Sequence, residues 1–405
     1  MTEKEENQLF NIMRLFYPDF EGKVSEEIDA NALYLRLSEA TGKKMPWGSL
    51  TGIRPTKLAY EMPLKDIGEK FFVSPPKLEL LGRILAAQRG YLSGEGVNLY
   101  INIPVCPTRC GYCSFAAATV KECKKYLDKY VDTLIEEIRR DGEKLCKIYT
   151  VYIGGGTPTV LSANQLDRVL AAVGDHGVEF TCEAGRPDSI DDEKLAVMKA
   201  RGVNRICINP QSFNDATLHT IGRAHTAADT VRAYELAQKY GFVINTDLIA
   251  GLPNENLDDF EYSLDRTLEL SPHNVTVHTL SRKRGSEYAK KNISGKDISN
   301  MIDFGYEKLT VAGYEPYYLY RQKSQLGALE NTGYTKPGFQ CRNNISVMEE
   351  TVSVLAAGAG GISKKIQVAR QGNLITRYAN CKDIKLYLEE FEQRYQSKAE
   401  FFFWD

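Results

Sequence analysis

Polar and apolar residues change their spacing twice along the chain. Up to about residue 95 the spacing is helical, with Leu9, Ile12, Met13 and Phe16 on one face. Ser25 is placed to cap a second helix running toward Thr41. The segment 46–55 is rich in turn formers, Pro55 suits the first turn of a short helix, and Pro75 and Pro76 open another toward Gly90. From about 96 to 320, short apolar or alternating runs take over. They lie at 97–103, 148–153, 178–183, 204–208, 242–248, 274–280 and 315–320, and each predicts a strand. Between them, 121–144, 162–173, 192–200, 227–240 and 257–270 have helical spacing, and Ser162 with Gln165 forms a capping box. Beyond 321 a glycine-rich stretch at 356–361 precedes a strand near 374–378 and an amphipathic helix at 382–395.

Strands separated by helices imply parallel βαβ units, and six or more such units close naturally into a barrel or open barrel. The expected architecture is α/β: a helical region over 1–95, a core barrel over 96–320 and a small α+β domain over 321–405. Functional groups of such barrels gather at the C-terminal ends of the strands.

A net charge of −2 over 405 residues gives no general affinity for nucleic acid, so an anionic ligand must meet a local basic patch. No apolar run reaches the length of a membrane span. The acidic, polar start lacks the basic and apolar regions of a signal peptide. A cytoplasmic, monomeric protein is expected.

Three of the nine cysteines, Cys106, Cys110 and Cys113, fall within eight residues, directly after the first core strand. Three thiolates there can hold three irons of a cubane cluster and leave the fourth open to a ligand. Ferredoxin-type clusters and structural zinc each want a fourth protein ligand. The next cysteine is Cys123 and the nearest histidine in sequence His176. A disulfide plus a spare thiol needs an oxidising compartment, and three merely packed thiols leave the spacing and the intervening Tyr112 unexplained. The open cluster is favoured. The other cysteines are scattered and read as packing.

This cysteine pattern resembles the radical S-adenosylmethionine (SAM) superfamily. The resemblance implies a 4Fe-4S cluster whose open iron is chelated by SAM, and reductive cleavage of SAM to a hydrogen-abstracting radical. An electron donor of flavodoxin or ferredoxin type is expected at the low potentials such clusters reach.

Gly154-Gly-Gly-Thr-Pro158 follows the second core strand, where glycines let backbone N–H groups approach a ligand. Glu183, Gln211 and Asp247 stand at or near strand ends, and Arg223 follows in a loop. Each has a plain reading as a loop-capping residue. Together they offer acceptors for ribose hydroxyls and an ammonium, and an arginine fork for a carboxylate.

Tyr100-Ile-Asn-Ile-Pro-Val-Cys106, Cys113-Ser-Phe115, Gly154-Gly-Gly-Thr-Pro-Thr159 and Asp247-Leu-Ile-Ala-Gly-Leu-Pro253 resemble the oxygen-independent coproporphyrinogen III oxidase family. The segments 46–57, 317–322 and 329–334 resemble its HemZ branch. The resemblance implies a partial (β/α)6-type barrel with a family-type C-terminal domain. It also implies that one SAM meets Tyr100, Gly155 and Glu183, and a second meets Tyr112, Gly156, Thr157, Gln211, Arg223 and Asp247. Thr279 and Ile362 are looser additional contacts. The implied reaction is oxidative decarboxylation of two propionates of coproporphyrinogen III to vinyl groups. Its substrate, a tetrapyrrole with four carboxylates, needs basic partners. Arg282, Lys283 and Arg284 are the first candidates, against a solvated loop. Lys121, Lys124, Lys125 and Lys129 form a helical stripe that reads as a solvated face. Tyr314, Tyr317, Tyr318 and Tyr320 are placed to flank a flat ring.

The family's bona fide oxidase has a fourth cysteine where this chain has Phe115. A look-alike branch of haem chaperones carries a His-Asn-x-x-Tyr-Trp signature, and the matching stretch here, Asn343-Asn-Ile-Ser-Val-Met348, lacks its His, Tyr and Trp. A third branch opens haem while transferring a methyl group, and nothing in this chain opposes it.

Overall fold

The computed structural model describes residues 2–24, 28–52, 54–115, 118–283, 285–290, 297–322, 325–367 and 373–404. Its centre is one sheet built from β1 (Val97–Ile103), β2 (Ile148–Gly155), β3 (Glu179–Glu183), β4 (Arg205–Cys207), β5 (Val243–Ala250) and β6 (Asn274–Thr279). These six run parallel in chain order, each reached through a helical crossover. The remaining strands are β7 (Glu315–Tyr320), β8 (Asn331–Thr335), β9 (Val354–Ala357), β10 (Ile362–Gln367) and β11 (Leu374–Ala379). The full order is β11-β10-β9-β1-β2-β3-β4-β5-β6-β8-β7. β9 pairs with β1 in parallel, and the outer strands pair antiparallel.

The strand and helix spacings match what forms. The helix Leu257–Leu270 and strand β7 fall on the expected residues, and Ser162 and Gln165 make their reciprocal cap. The 121–144 stretch breaks into a short turn of helix, a 3-10 turn and the helix Leu127–Gly142. The stretch 382–395 is two helices, Ile384–Glu389 and Phe391–Phe403, meeting at Glu390. Ser25 lies outside the described residues. The second helix starts later, at Ala30, and is capped by the Asp29 carboxylate.

Alternation along the strands separates two interiors. On β1, Leu99, Ile101 and Ile103 point to the helical layer and join one large apolar core. Asn98 and Asn102, on the other face, are as deeply buried but polar. The register carries this parity across the sheet, aligning Asn98 with Thr150, Tyr100 with Tyr152 and Asn102 with Gly154. The inside of the barrel is therefore hydrogen-bonded rather than oily. At its base, Arg205 donates to Asn245 and Asn274 at 2.8 and 2.7 Å and stands 3.4 Å from the Glu179 carboxylate. The backbone N–H groups of Arg342 and Asn343, opening the helix Arg342–Glu349, donate to the same carboxylate. This helix plugs the base. The other end, at the C-termini of β1 to β6, stays open.

Two interlocks fasten the flanks. Trp47 donates through its indole N–H to Glu330 at 2.6 Å, Lys77 reaches the other oxygen of Glu330 at 2.7 Å, and Arg321 lies 5.5 Å from the Trp47 ring. Trp47 and Lys77 are thus packed as one unit with Arg321 and Glu330, far from them in sequence. On the opposite flank, Lys398 is wholly buried between Glu137 and Asp141, at 2.6 Å from each. Glu137 also accepts from Gly358 and Asn380, so the C-terminal helix, the glycine-rich turn and the first barrel helix share one charge cluster.

Replacing Lys398 by Met leaves two buried carboxylates facing each other. A loss of about 3–5 kcal/mol is expected from breaking one partner out of a buried ion cluster, measured as a lowered urea midpoint.

Candidate functional site

The Cys106-to-Cys113 loop is held by backbone at its start and by Thr108, which donates to the Gly222 carbonyl at 2.8 Å and accepts from Arg186 at 2.9 Å, in its middle. Gly156 donates its N–H to the Ile103 carbonyl and Thr157 to the Val105 carbonyl, both at 2.8 Å. Val105 and Cys106 pair in turn with Ala118 and Thr119, closing the loop on itself. Only glycine permits the clamp. Gly155 has φ +106°, and a Cβ there would stand 2.2 Å from Asn102 Oδ1; a Cβ on Gly156 would meet the Val105 carbonyl at 2.5 Å. This corrects one expectation. The N–H groups of Gly156 and Thr157 face the protein, not a ligand.

An open cavity of about 370 Å³ sits over the strand ends. Cys106, Cys110 and Cys113 line it from one side, together with Tyr112, Gly155, Gly156, Thr157, Glu183, Gln211, Arg223, Asp247 and Thr279. Tyr100 and Ile362 are not in the lining. Tyr100 sends its hydroxyl to Asn102 and stacks on Tyr152, whose ring does face the cavity. Ile362 is half-exposed on β10, paired with Ala379.

The three sulfurs sit in a mixed environment. Burial pushes the Cys106 thiol up to about 11, while the Thr157 hydroxyl, 3.4 Å from the sulfur, and the Arg186 guanidinium pull it down. Arg186 lies 3.9 Å from the Cys110 sulfur, held by a two-pronged bond to Asp188 at 2.9 Å on each arm. The Phe115 N–H points at Cys113. A guanidinium, a hydroxyl and an amide therefore stand against the three sulfurs, the donor surroundings that a metal-bound sulfur accepts. Among the described residues, no three Cys, His, Asp or Glu side chains crowd together as ligands of a single ion do. A four-iron cluster takes one cysteine per iron, so its sulfurs stand further apart.

Opposite the cysteines the lining is rich in unspent acceptors. The side-chain oxygens of Asn209 and Gln211 are buried without a partner. Gln211 has φ +69°, a strained backbone for a residue with a side chain, and is fixed there by bonds to Asp247 and Ile249 of β5. Hydroxyl and ammonium donors of a SAM molecule would satisfy such oxygens, so the residues fit the cofactor. Arg223 does not offer the free fork expected of it. Four of its five N–H donors go to Tyr112, Gly185, Asn209 and His225. Thr279 spends its hydroxyl on the Glu330 carbonyl at 2.6 Å.

The polar set extends beyond the residues singled out by motif. His278 faces Asp247 at 3.6 Å through one ring nitrogen and the Tyr320 hydroxyl at 3.4 Å through the other. Tyr318 and Tyr320 stack with rings 6.5 Å apart and 8° from parallel, and both line the cavity. Tyr314 and Tyr317 are buried elsewhere, Tyr314 bonding the Pro272 carbonyl. Lys283 reaches the cavity, Arg282 pairs instead with Asp19 at 3.0 Å, and Arg284 lies outside the described residues. Lys121, Lys124, Lys125 and Lys129 are exposed. Strand parity would have found His278, which shares its inward face with Thr276, itself in register with Asp247.

No helix among the described residues is long and apolar enough to cross a membrane. The family model of the radical SAM superfamily matches residues 100–267. The chain is 38% identical to the oxygen-independent coproporphyrinogen-III oxidase-like protein HemZ of Bacillus subtilis, covering 96% of this chain and 84% of that protein. It is 30% identical to the heme chaperone HemW of Haemophilus influenzae, covering 75% of this chain and 78% of that one. Among solved structures it resembles the coproporphyrinogen III oxidase HemN of Escherichia coli, with a TM-score of 0.60 and 22% identity, over 77% of this chain and 72% of that one. That last likeness shows the fold.

Burial pushes the Glu183 carboxyl up to about 7, the nearby Asp247 charge adding to the rise and the Tyr152 hydroxyl opposing it. The folded chain then holds a proton that the unfolded chain releases. Stability of the cofactor-free protein should fall as pH rises between about 4.5 and 7, by up to about 1.4 kcal/mol per pH unit. Urea unfolding across that range should show the slope, and Glu183→Gln should flatten it.

Proposed function

The chain belongs to the oxygen-independent coproporphyrinogen III oxidase-like family of radical SAM proteins, and from that premise we propose that it decarboxylates propionate side chains of a reduced tetrapyrrole. Coproporphyrinogen III is the simplest substrate, and vinyl groups are the product. Cofactors of the superfamily are a 4Fe-4S cluster and SAM, which when bound supply one-electron chemistry able to break an unactivated C–H bond. Each propionate gives up a hydrogen atom and carbon dioxide, and one electron passes to an acceptor.

One observation carries this reading. A single cavity joins three cysteines, orphan amide oxygens and a stacked tyrosine pair. Cys106, Cys110 and Cys113 would hold the cluster. Asn209 and Gln211 accept from cofactor hydroxyls, and Glu183 and Asp247 accept from hydroxyls or an ammonium. Tyr318 and Tyr320 present aromatic surface to a flat ring. The polar network around Arg205 fills the barrel base.

A second reading is favoured by a different pair of lining residues. His278 and Met348 both face the cavity, and these are the side-chain types that ligate haem iron in cytochromes. A haem carrier, as the name of the HemW relatives describes those proteins, would retain haem stoichiometrically without turnover.

Reconstituted protein, incubated without oxygen with SAM, a reductant and coproporphyrinogen III, should release carbon dioxide and form the vinyl product by mass spectrometry. An intact cluster with cleaved SAM but no carbon dioxide would exclude decarboxylation of this substrate. Cys110→Ala should lose both the iron–sulfur absorbance and SAM cleavage.

A further inference from the structure

Two arginines and one lysine line the cavity in the described part of the chain: Arg186, Arg223 and Lys283. Arg186 is neutralised by Asp188, and Arg223 is held by backbone carbonyls and a tyrosine. Lys283 differs from both. No described side chain or carbonyl accepts from its ammonium, and its Nζ rests 4.4 Å from the centre of the Phe115 ring. Its neighbour Arg282 is turned away to Asp19. The lysine is only partly exposed, so its charge lies partly desolvated at the cavity wall.

We propose that Lys283 is the carboxylate anchor of this site, and that Phe115 is the platform that holds it in place. This rests on the tetrapyrrole reading above and narrows it, naming the group on the substrate that is recognised. A partly desolvated ammonium with the Cys113 sulfur near it but no carboxylate partner is stabilised by an incoming anion more than a solvated surface lysine is. The ring face keeps the ammonium positioned meanwhile, through cation–π attraction. The loop geometry supports the direction. Phe115 sits two residues beyond Cys113, so the anchored charge lies beside the cysteine loop, while Tyr318 and Tyr320 line the same cavity from β7. A flat ring lying against the tyrosines would bring a carboxylate arm to Lys283. The aromatic at 115, where the founding oxidase carries a cysteine, thereby acquires a role in substrate binding.

The test is equilibrium binding of coproporphyrin, the oxidised and fluorescent macrocycle, to the intact protein, compared with its tetramethyl ester. Wild type should prefer the free acid. Lys283→Met should weaken acid binding roughly tenfold or more while ester binding changes little, erasing the preference. Lys283→Arg should keep it, and Phe115→Ala should reduce it by a smaller factor. Absence of porphyrin binding by wild type would overturn the tetrapyrrole reading itself. Binding with the same acid-over-ester preference in wild type and Lys283→Met would overturn the anchor alone. So would a Lys283→Met variant whose SAM affinity falls while its porphyrin affinity holds.

Discussion

Two backbone hydrogen bonds set the geometry of everything at the open end of the barrel. They run from Gly156 to Ile103 and from Thr157 to Val105, and they clamp the cysteine loop to the neighbouring strand. The loop carries the sulfurs, the glycine turn carries Thr157 beside Cys106, and the same turn passes under Glu183. A side chain at either glycine would collide with backbone or with Asn102. The clamp ties the start of the cysteine loop to the sheet. The loop cannot drift without breaking register between β1 and β2.

The second constraint is the polar interior. In most parallel barrels, branched apolar side chains fill the centre in layers. Here Asn98, Thr150, Arg205, Asn245 and Asn274 occupy the lower layers and bond one another. Such a network is costly unless every member is satisfied. Lower down, Arg205 Nε and the Thr181 hydroxyl are buried without a partner; at the cavity, Asn209 and Gln211 keep unpaired oxygens and Gln211 is strained. A strained backbone and two orphan amide oxygens on one cavity wall are what a ligand-completed site looks like.

Much of this was legible in the sequence. Strand periodicity, the capping box at Ser162 and the three cysteines each specify something local, and local chemistry survives into the fold. Less legible were features that depend on which residues meet. Arg223 reads as a free fork until Gly185 and Asn209 are seen to claim it. The glycine run reads as a ligand cradle until the N–H groups of Gly156 and Thr157 are traced to Ile103 and Val105. His278 carried no motif, and only register brings it to Asp247. Likewise the segments around Trp47 and Glu330 could be matched separately, but not paired, from a linear string.

The parallel contact of β9 with β1 has a consequence for how the molecule is made. The first strand of the barrel gains its outer neighbour from residues 354–357, and Asn102 gains its Ala359 partner from the same late segment. A nascent chain that has already emitted the cysteine loop therefore carries β1 with one edge bare, a template for errant pairing. Contacts so distant in sequence also form late. The strand that leads into the cysteine loop therefore has its edge covered only once residues 354–357 have been made.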